Sequence, residues 1–435
     1  MKILLVHPAP KENSLFSNLI KKFWPLHPMT LPQLAAVTPS NHNITCIDET
    51  FQQIDFSEDY DLVGITCNTP LAPRAYEIAD GFRDNGSVVV LGGVHPSAMP
   101  HEAKEHADSV VIGEGEISWP KIVNDLERKG KIKPFYKSEL IDGKMIPPPA
   151  WEKFGNFNLT ARIQATRGCP YNCEFCSLHI VEGRKLRMKP VENVIKEIIS
   201  CKKKWITFVD NSLTLNPSYT KEIFRKMKGL GKKFACFGNI NVLAKDKELL
   251  KLAKEAGCVA WEIGFESVSQ KSLNEAGKGM NKVERYKKAI ETIKEYGMAV
   301  IGSFIFGFDS DTPDIFDVTL EAIYELELDS VTCNILTPYP GTKLFERLEK
   351  ENRILTRDWS KYDLGHVVFK PKNMSEKELF YGTKKVIRSI YNPLNQLRMD
   401  IKSFKLGLSP FIATAVRNYC NIDFYRRSYF SRRSY

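Results

Sequence analysis

Three cysteines packed into eight residues are the strongest chemical signal in this chain. They are Cys169, Cys173 and Cys176, in the segment TRGCPYNCEFCSL. Thiolates at this spacing in one loop can converge on a soft metal centre, which is either zinc or an iron–sulfur cluster. A zinc site usually needs a fourth ligand at similar spacing; no second C-x-x-C follows, and His179 is the one near candidate. Three cysteines on a cubane leave one iron open, so the pattern favours an iron–sulfur site over zinc and over unliganded thiols.

The cysteine loop also carries a family signature. CPYNCEFC resembles the C-x3-C-x2-C motif of radical S-adenosylmethionine (SAM) enzymes, including the aromatic Phe175 before the third cysteine. The resemblance implies a 4Fe-4S cluster whose open iron takes the amino and carboxylate groups of SAM. Reduction would then cleave the sulfonium and give a 5′-deoxyadenosyl radical. An electron donor such as flavodoxin or ferredoxin is implied as a partner.

Two segments after the cysteine loop are expected to contact SAM through side chains. FVDNSLTLNP carries Asp210 and Asn211 at the end of a strand, where the family usually has GGE. We expect these two to hydrogen-bond the methionine ammonium or a substrate. WEIGFESVS resembles the family's IGxES segment and implies that Glu266 and Ser267 lie near the ribose. The alternative for Glu266 is that it only caps the next helix.

A third segment is expected to approach the adenine through its backbone. IGSFIFGFD resembles the family's G-x-I-x-G segment, and Gly302 and Gly307 would permit close backbone approach. TPYPGT, which begins at Thr337, matches a turn that often follows the sixth barrel strand in this family. Each of these matches is weaker than the cysteine loop, but all agree with it.

The N-terminal part resembles the cobalamin-binding domain that precedes many radical SAM barrels. The resemblance lies in PLHPMTLPQLAA (25–36), VGITCNT (63–69), VVVLGGVHPSAMP (88–100) and VVIGEGE (110–116). Small residues at strand ends would let a bulky corrinoid and its nucleotide tail approach the backbone. The residues expected at such ends are Thr66, Asn68, Gly92, Gly93, His95, Gly113 and Gly115.

The N-terminal part departs from other cobalamin proteins in its histidines. The D-x-H-x-x-G motif is absent, and His95 follows a glycine pair without the rest of that pattern. Cobalt would then have no protein histidine below it, as is common in this subgroup. One alternative is a vestigial sheet that binds nothing. A methylthiotransferase domain is a weaker alternative, because it would bring three cluster cysteines and only Cys46 and Cys67 are present here.

The elements that must position these residues form an α/β chain in four parts. Residues 1–130 alternate apolar strands with helices, which predicts a doubly wound, Rossmann-like parallel sheet. Lysines and three prolines mark residues 131–160 as a linker. Residues 161–340 predict a partial (β/α)6 barrel, whose reactive groups come from loops at the carboxyl ends of its strands. Residues 341–435 read as mostly helical. The expected strands are 3–6, 44–48, 62–66, 87–91 and 109–112, then 162–166, 206–210, 234–238, 259–265, 299–306 and 330–336.

Composition indicates an ordinary globular chain of 435 residues, with 43% apolar residues and a net charge of +10. Its longest apolar runs are shorter than a membrane helix needs. The first apolar run, Ile3–Val6, predicts a strand and not a signal peptide, so we expect a cytoplasmic protein. The tail FYRRSYFSRRSY mixes aromatic residues with Arg426, Arg427, Arg432 and Arg433, which suits peripheral contact with a membrane.

Together these features predict a radical SAM enzyme that, with cobalamin, methylates an unactivated carbon of a small-molecule or lipid-like substrate. One alternative keeps the radical step and ends in cyclisation or carbon–carbon coupling. Another is a non-catalytic iron–sulfur or nucleic-acid-binding protein; nucleic acid is not expected as a partner.

Overall fold

The computed structural model describes residues 1–10, 28–154 and 160–430. The motif at 25–36 begins outside these ranges. Residues 431–435 and the side chains of residues 427–430 also lie outside the description, so most of the basic aromatic tail does as well.

The N-terminal sheet has six parallel strands in the order β2-β1-β3-β4-β5-β6. Each expected strand is present within one or two residues. The order places β1 between β2 and β3, with Ile3 opposite both Ile44 and Leu62, which is a doubly wound arrangement. The strands are β1 (Lys2–His7), β2 (Asn43–Asp48), β3 (Leu62–Thr66), β4 (Val88–Gly92), β5 (Ser109–Ile112) and β6 (Phe135–Lys137).

Helices cover both faces of this sheet, which explains the continuous apolar strands. In β1, Leu4 and Val6 pack into one apolar cluster, and Ile3 and Leu5 pack into another on the opposite face. The helices are α1 (Thr30–Val37), α2 (Ala72–Asp84), α3 (Val94–Ala98), α4 (Pro100–His106) and α5 (Gly115–Lys129).

The sixth strand is a finding that the sequence did not predict. Strand β6 lies in the segment expected to be a linker and pairs in parallel with β5, where Phe135 is opposite Val110. A three-residue strand with Lys137 at its end has too short an apolar run to be recognised from periodicity. The stretch between the two predicted domains therefore begins inside the first sheet.

The second sheet has six parallel strands in sequential order, β7-β10-β11-β12-β13-β14, as expected for a partial barrel. A two-residue antiparallel pair, β8 with β9, stands apart from it and flanks the cysteine loop. The strands are β7 (Thr160–Ile163), β8 (Thr166–Arg167), β9 (Arg187–Met188), β10 (Trp205–Phe208), β11 (Lys233–Phe237), β12 (Cys258–Glu266), β13 (Ala299–Phe306) and β14 (Ser330–Ile335).

Alternation along the barrel strands separates the core from the lumen. In β12, Trp261, Ile263 and Phe265 pack against the outer helices, so Glu262 and Glu266 point to the lumen. The outer helices are α6 (Val191–Ser200), α7 (Pro217–Met227), α8 (Ile240–Leu243), α9 (Lys247–Ala256), α10 (Gln270–Glu275), α11 (Tyr286–Glu295) and α12 (Ile315–Glu325).

The C-terminal region is helical, as predicted, and its last helix covers the free edge of the barrel. Strand β14 has a barrel strand on one side only. On its other side, Asn418 and Asn421 donate to the carbonyls of Asp329 and Val331, and Cys333 N–H donates to the Tyr425 hydroxyl at 2.6 Å. The helices are α13 (Lys343–Lys350), α14 (Glu376–Ile390), α15 (Pro393–Lys405) and α16 (Leu408–Phe430). Among the described helices, none is long and apolar enough to span a membrane.

Candidate active site

The cysteine loop is held at both ends by backbone contacts that need glycine. Gly168 has φ +81°, and a Cβ there would lie 2.2 Å from the Lys185 carbonyl oxygen. At the far side, Gly277 packs so closely that a Cβ would lie 2.6 Å from the Asn172 carbonyl oxygen. Glu174 N–H also donates to the carbonyl of Ala276 at 3.1 Å. The loop is therefore clamped between the β8–β9 pair and the segment that follows α10.

Burial and one lysine dominate the electrostatics of the three thiols. Burial raises the pKa of all three, that of Cys173 to about 11, and the nearby Lys278 ammonium opposes this rise. Burial alone would lower the pKa of Lys278, but Glu266 and Cys173 outweigh it and leave that pKa raised. A metal-bound thiolate is deprotonated whatever its free pKa, and the Lys278 charge offsets part of the resulting negative charge. The donor set thus fits an iron–sulfur cluster.

The arrangement of these thiols differs from a site for one ion. Within residues 1–10, 28–154 and 160–430, no three His, Cys, Asp or Glu side chains converge closely enough to ligate a single metal ion. In a cubane each thiolate binds a different iron atom. Three half-buried, free cysteines on one clamped loop are compatible with that arrangement.

Glu266 and Ser267 lie at the lumen end of β12, beside the cysteine loop. Glu266 has φ +64°, a conformation unusual for this residue type, and its carboxylate pairs with Lys278. Lys278 also donates to the Gly264 carbonyl at 3.0 Å. The cap of α10 is the Ser269 side chain, which accepts from Ser272 N–H, so the capping alternative for Glu266 is wrong. The pair of Glu266 with Lys278 instead links the end of β12 to the surroundings of the thiols.

Asp210 is an anchor for the chain that leads into the cysteine loop. It is fully buried and accepts from Ala165 N–H, from Thr166 N–H and from the Thr166 hydroxyl at 2.7 Å. Burial raises its pKa to about 6 despite these hydrogen bonds. Its oxygens are directed at the protein, not at an open site. Asn211 is exposed and donates to the Glu182 carboxylate at 2.8 Å.

The two barrel glycines are filled in by the protein itself. Gly302 lies between Val300 and Phe304 on the helix-facing side of β13, and a Cβ at Gly302 would lie 2.7 Å from Leu328. At Gly307, with φ +106°, a Cβ would lie 2.9 Å from Leu379. Gly302 does not face the lumen, because the strand period of two puts its neighbours there. Gly307 lies beyond the end of β13, and Leu379 occupies the position that its Cβ would take.

The residues of β13 and β14 that do face the lumen were missed by the sequence analysis. Ser303, Thr332 and Asn334 are half-buried and alternate with core residues. Deeper in the lumen, Glu262 pairs with Arg417 of α16 at 2.6 Å. Burial raises the pKa of Glu262, and Arg417 opposes that rise. Polar residues inside an apolar strand pattern were the signal that could have identified them.

A cavity of about 320 Å³ lies where the carboxyl ends of the N-terminal strands meet the cysteine-loop side of the barrel. Six of the seven residues predicted for cobalamin line it, namely Thr66, Asn68, Gly92, Gly93, Gly113 and Gly115. At Gly93, with φ +102°, a Cβ would lie 2.6 Å from the Cys67 carbonyl oxygen. Gly113, with φ +89°, has open space where its Cβ would stand. The glycines after β4 and β5 thus form a cradle, in which Gly93 is required by the nearby Cys67 backbone and Gly113 leaves space that a larger residue would fill.

His95, the seventh predicted residue, lies behind this cradle and not in it. Its ring is fully buried, with Nε2 3.1 Å from the Tyr76 hydroxyl and 3.2 Å from the Glu102 carboxylate. Trp359 of the C-terminal region donates to the same carboxylate at 2.8 Å. Helix α3 begins at Val94 and turns the His95 side chain toward α2. This histidine therefore supports the glycine loop from the side opposite the cavity.

The barrel side of the cavity contains buried charges that the sequence analysis also missed. Arg167, two residues before Cys169, pairs with Glu114 at 3.0 Å and with Glu116 at 2.5 Å. Arg187 of β9 pairs with Glu114 at 2.7 Å. Gln164, Arg167, Leu178, Val181 and Glu182 line the cavity opposite the glycines. The ionic contacts join the end of β5 directly to the strand that leads into the cysteine loop.

Comparison with protein families matches three parts of the chain. Residues 163–323 match the radical SAM superfamily, and residues 26–123 match the B12 binding domain. Residues 342–405 match a domain of unknown function, DUF4070. The first match spans the barrel from β8 to β13, and the second spans the N-terminal sheet from β2 to β5.

Whole-chain relatives agree with these matches. A bacteriochlorophyllide d C-12(1)-methyltransferase from Chlorobaculum tepidum is 33% identical over 90% of this chain and 87% of its own length. A hopanoid C-2 methylase from Rhodopseudomonas palustris is 28% identical over 76% of this chain and 66% of its own length. In fold, the chain is similar to the radical SAM methyltransferase TsrM from Kitasatospora setae, with a TM-score of 0.69, 16% identity, and coverage of 91% of this chain and 90% of that one.

The comparisons confirm the predicted fold class, enzyme class and cofactors. The expected Rossmann-like sheet, partial barrel and helical C-terminal region are all present. The assignment of individual residues to those cofactors stays a prediction. On the family matches and the whole-chain identity, the chain belongs to the cobalamin-binding radical SAM enzymes, which use a 4Fe-4S cluster, SAM and cobalamin.

Proposed function

We propose that this enzyme transfers a methyl group to an unactivated carbon of a small-molecule or lipid-like substrate. With the cluster, SAM and cobalamin bound, these groups supply reductive cleavage of a sulfonium, hydrogen abstraction and a transferable methyl group. The observation that carries the proposal is the cavity between the two sheets. It is lined by the glycines at the ends of β4 and β5 and, across from them, by Leu178 and Glu182 of the segment that follows the cysteines.

Each set of residues has a separate task in this proposal. Cys169, Cys173 and Cys176 hold the cluster, and Lys278 balances its charge. Glu266 and Ser267 lie on the SAM side of the lumen, whereas Asp210, Gly302 and Gly307 shape the walls without touching the cofactor. Thr66, Asn68, Gly92, Gly93, Gly113 and Gly115 hold cobalamin. The rings of Phe175 and Phe308, whose centroids lie 6.2 Å apart, shield the loop from water.

The substrate carbon is proposed to enter the barrel lumen. Ser303, Thr332 and Asn334 provide neutral polar contacts there. Ile305 lies on the same face of β13 as Ser303 and provides an apolar contact. Arg417 Nε is buried and has no hydrogen-bond partner among the described residues, so it remains available to an incoming group. The two relatives described above are named for a bacteriochlorophyllide and a hopanoid as their substrates. We propose a lipid-like substrate for this chain as well.

Two partner predictions remain part of the proposal. The first is a flavodoxin or ferredoxin as electron donor in the cytoplasm, because cleavage of SAM needs one electron from outside the chain. The second is membrane contact through the C-terminal tail, but Arg432 and Arg433 lie outside the described residues. Arg426, the first arginine of the tail, is exposed.

The test is anaerobic purification followed by tracing of labelled methyl groups. The wild-type protein is expected to contain iron and cobalt and to form 5′-deoxyadenosine with SAM and dithionite. Cys173→Ala should lose the cluster iron and this activity. Cys201→Ala should keep both, because it changes a half-buried cysteine that follows α6 and donates to the Ile198 carbonyl of that helix. A protein that binds neither metal would refute the proposal.

Methyl-labelled SAM then separates methyl transfer from the rival reactions. The enzyme is supplied with lipid and aqueous extracts of its source cells. Label in a product that also depends on Cys173 supports methylation. A product that forms without label would instead favour cyclisation or carbon–carbon coupling, and would overturn the methyl-transfer proposal while leaving the radical step intact.

A further inference from the structure

A row of large apolar side chains lies exposed along α15 and the first residue of α16. The row occurs at intervals of three and four residues, so its four members in α15 share one face of that helix, and the fifth continues the row at the start of α16. Their exposed fractions range from 50% to 71%, which is far above that of ordinary apolar residues in this chain. The members are Leu394, Leu397, Ile401, Phe404 and Leu408, and we call them the α15 stripe.

The α15 stripe points directly away from the body of the protein. The buried side of the same helix is formed by Met399 and Ser403, which lie about half a turn from the stripe. Ser403 donates to the buried Asp329 at the base of β14, so the helix is firmly oriented. Single exposed apolar residues are common, but a continuous row over a helix ~20 Å long is typical of an interaction surface.

The charges beside the stripe indicate what it contacts. Arg398 and Lys405 are exposed along one border, and Lys402 lies between them, paired with Glu327 at 2.8 Å. Asp400 is the one acidic residue of α15, against three basic ones. An apolar row bordered by lysine and arginine is typical of helices that lie in the plane of a membrane surface. A symmetric contact between two copies of the chain would instead place like charges together.

We propose that the α15 stripe docks this enzyme onto an anionic lipid bilayer. The apolar row enters the interface, and Arg398 and Lys405 contact the phosphate headgroups. This proposal rests on the surface alone and does not depend on the reaction. The stripe is also connected to the lumen: Phe404 contacts Phe411 of α16, with ring centroids 5.7 Å apart, and the same helix carries Arg417 to Glu262. A lipid surface at α15 therefore lies against the helix that closes the barrel.

The experiment is co-sedimentation of the anaerobically purified full chain with vesicles. One set consists of phosphatidylcholine with phosphatidylglycerol, and the other of phosphatidylcholine alone. We expect binding to the anionic set and about a hundredfold weaker binding of Leu397→Ser/Phe404→Ser, since burial of each large side chain contributes about tenfold to partition. Met145→Ser/Leu355→Ser is the matched control, because it removes two similarly exposed apolar residues that are not part of the stripe.

Three outcomes would overturn the proposal. One is the absence of wild-type binding to anionic vesicles, and another is equal binding by the stripe variant and its control. The third is a dimer in sedimentation velocity that the stripe variant converts to a monomer without changing vesicle binding, which would make the stripe an interface between copies. Arg398→Glu/Lys405→Glu should also weaken binding to the anionic set, and circular dichroism of each variant verifies that it is folded.

Discussion

Replacing Arg167 by methionine tests whether the cobalamin-side sheet and the cysteine loop are joined by buried charge. Arg167 is 4% exposed and contacts Glu116 at 2.5 Å and Glu114 at 3.0 Å. In Arg167→Met, Glu114 retains Arg187, but Glu116 loses the guanidinium that pairs with it. A carboxylate left buried without its partner keeps its full desolvation cost and loses the attraction that offset it.

The expected loss in the free energy of unfolding is about 3–5 kcal/mol, the usual cost of removing one partner of a buried pair. The control is Arg225→Met, which breaks a pair with Glu248 of similar length, 2.7 Å, between side chains that are both more than half exposed. That change should cost about 0–1 kcal/mol. The double variant Arg167→Met/Glu116→Gln should recover part of the lost free energy of unfolding, because a neutral amide then replaces the unpaired carboxylate.

The assay is urea unfolding of the anaerobically purified protein, followed by tryptophan fluorescence, with Trp119 reporting on the N-terminal sheet. Equal slopes with a lower midpoint would identify a change in stability alone. If Arg167→Met falls within about 1 kcal/mol of Arg225→Met, the contacts seen at this junction do not exclude water, and the argument from burial is wrong.

Three further changes follow from the same geometry. Burial raises the pKa of Asp210 from 3.8 to about 6. The protonated carboxyl therefore stabilises the fold fully below pH 3.8, and this stabilisation is lost as pH rises through about 6. The difference in the free energy of unfolding between wild type and Asp210→Asn, measured in urea, should shrink over that pH interval. Gly93→Ala should reduce cobalt content more than Gly86→Ala, since both have positive φ but a Cβ has open space at Gly86; equal cobalt contents would contradict this. Burial raises the pKa of Glu262, and the Arg417 guanidinium opposes that rise. Arg417→Met should therefore destabilise the protein increasingly as pH rises above 4.5, because the ionised Glu262 has lost its partner. Arg426→Met, at an exposed site, should show no such trend in its urea midpoint.

The strands were predictable wherever an apolar run is bounded by polar residues. Leu62–Thr66 and Ser109–Ile112 match the expected strands to the residue, because Asp61 and Gly113 end those runs. Strand β6 was not predictable, since its place in the sheet comes from pairing with β5 and not from a local pattern. The start of α14 is equally local, because Ser375 and Glu378 form a capping box whose residue types and spacing are visible in the sequence.

The candidate site was predictable only where one local motif contains the whole feature. The cysteines and the glycines after β4 and β5 are of that kind. The close approach of the Gly302 backbone to adenine stays a prediction, and the face that Gly302 shares with Val300 and Phe304 follows from the strand period. Arg167 and Glu114 are far apart in the chain, and a sequence shows neither their contact nor their burial. Tertiary packing of the two sheets creates that part of the site.

The helix that covers the edge of β14 has a consequence for shortened forms of this protein. A chain that ends before Leu408 loses the amide and hydroxyl groups that satisfy the backbone at Asp329, Val331 and Cys333. The last barrel strand would then present a row of unpaired backbone groups, which is a template for adding a strand from another molecule. Such truncated proteins should aggregate during expression, even though every cysteine and glycine of the predicted cofactor sites is still present.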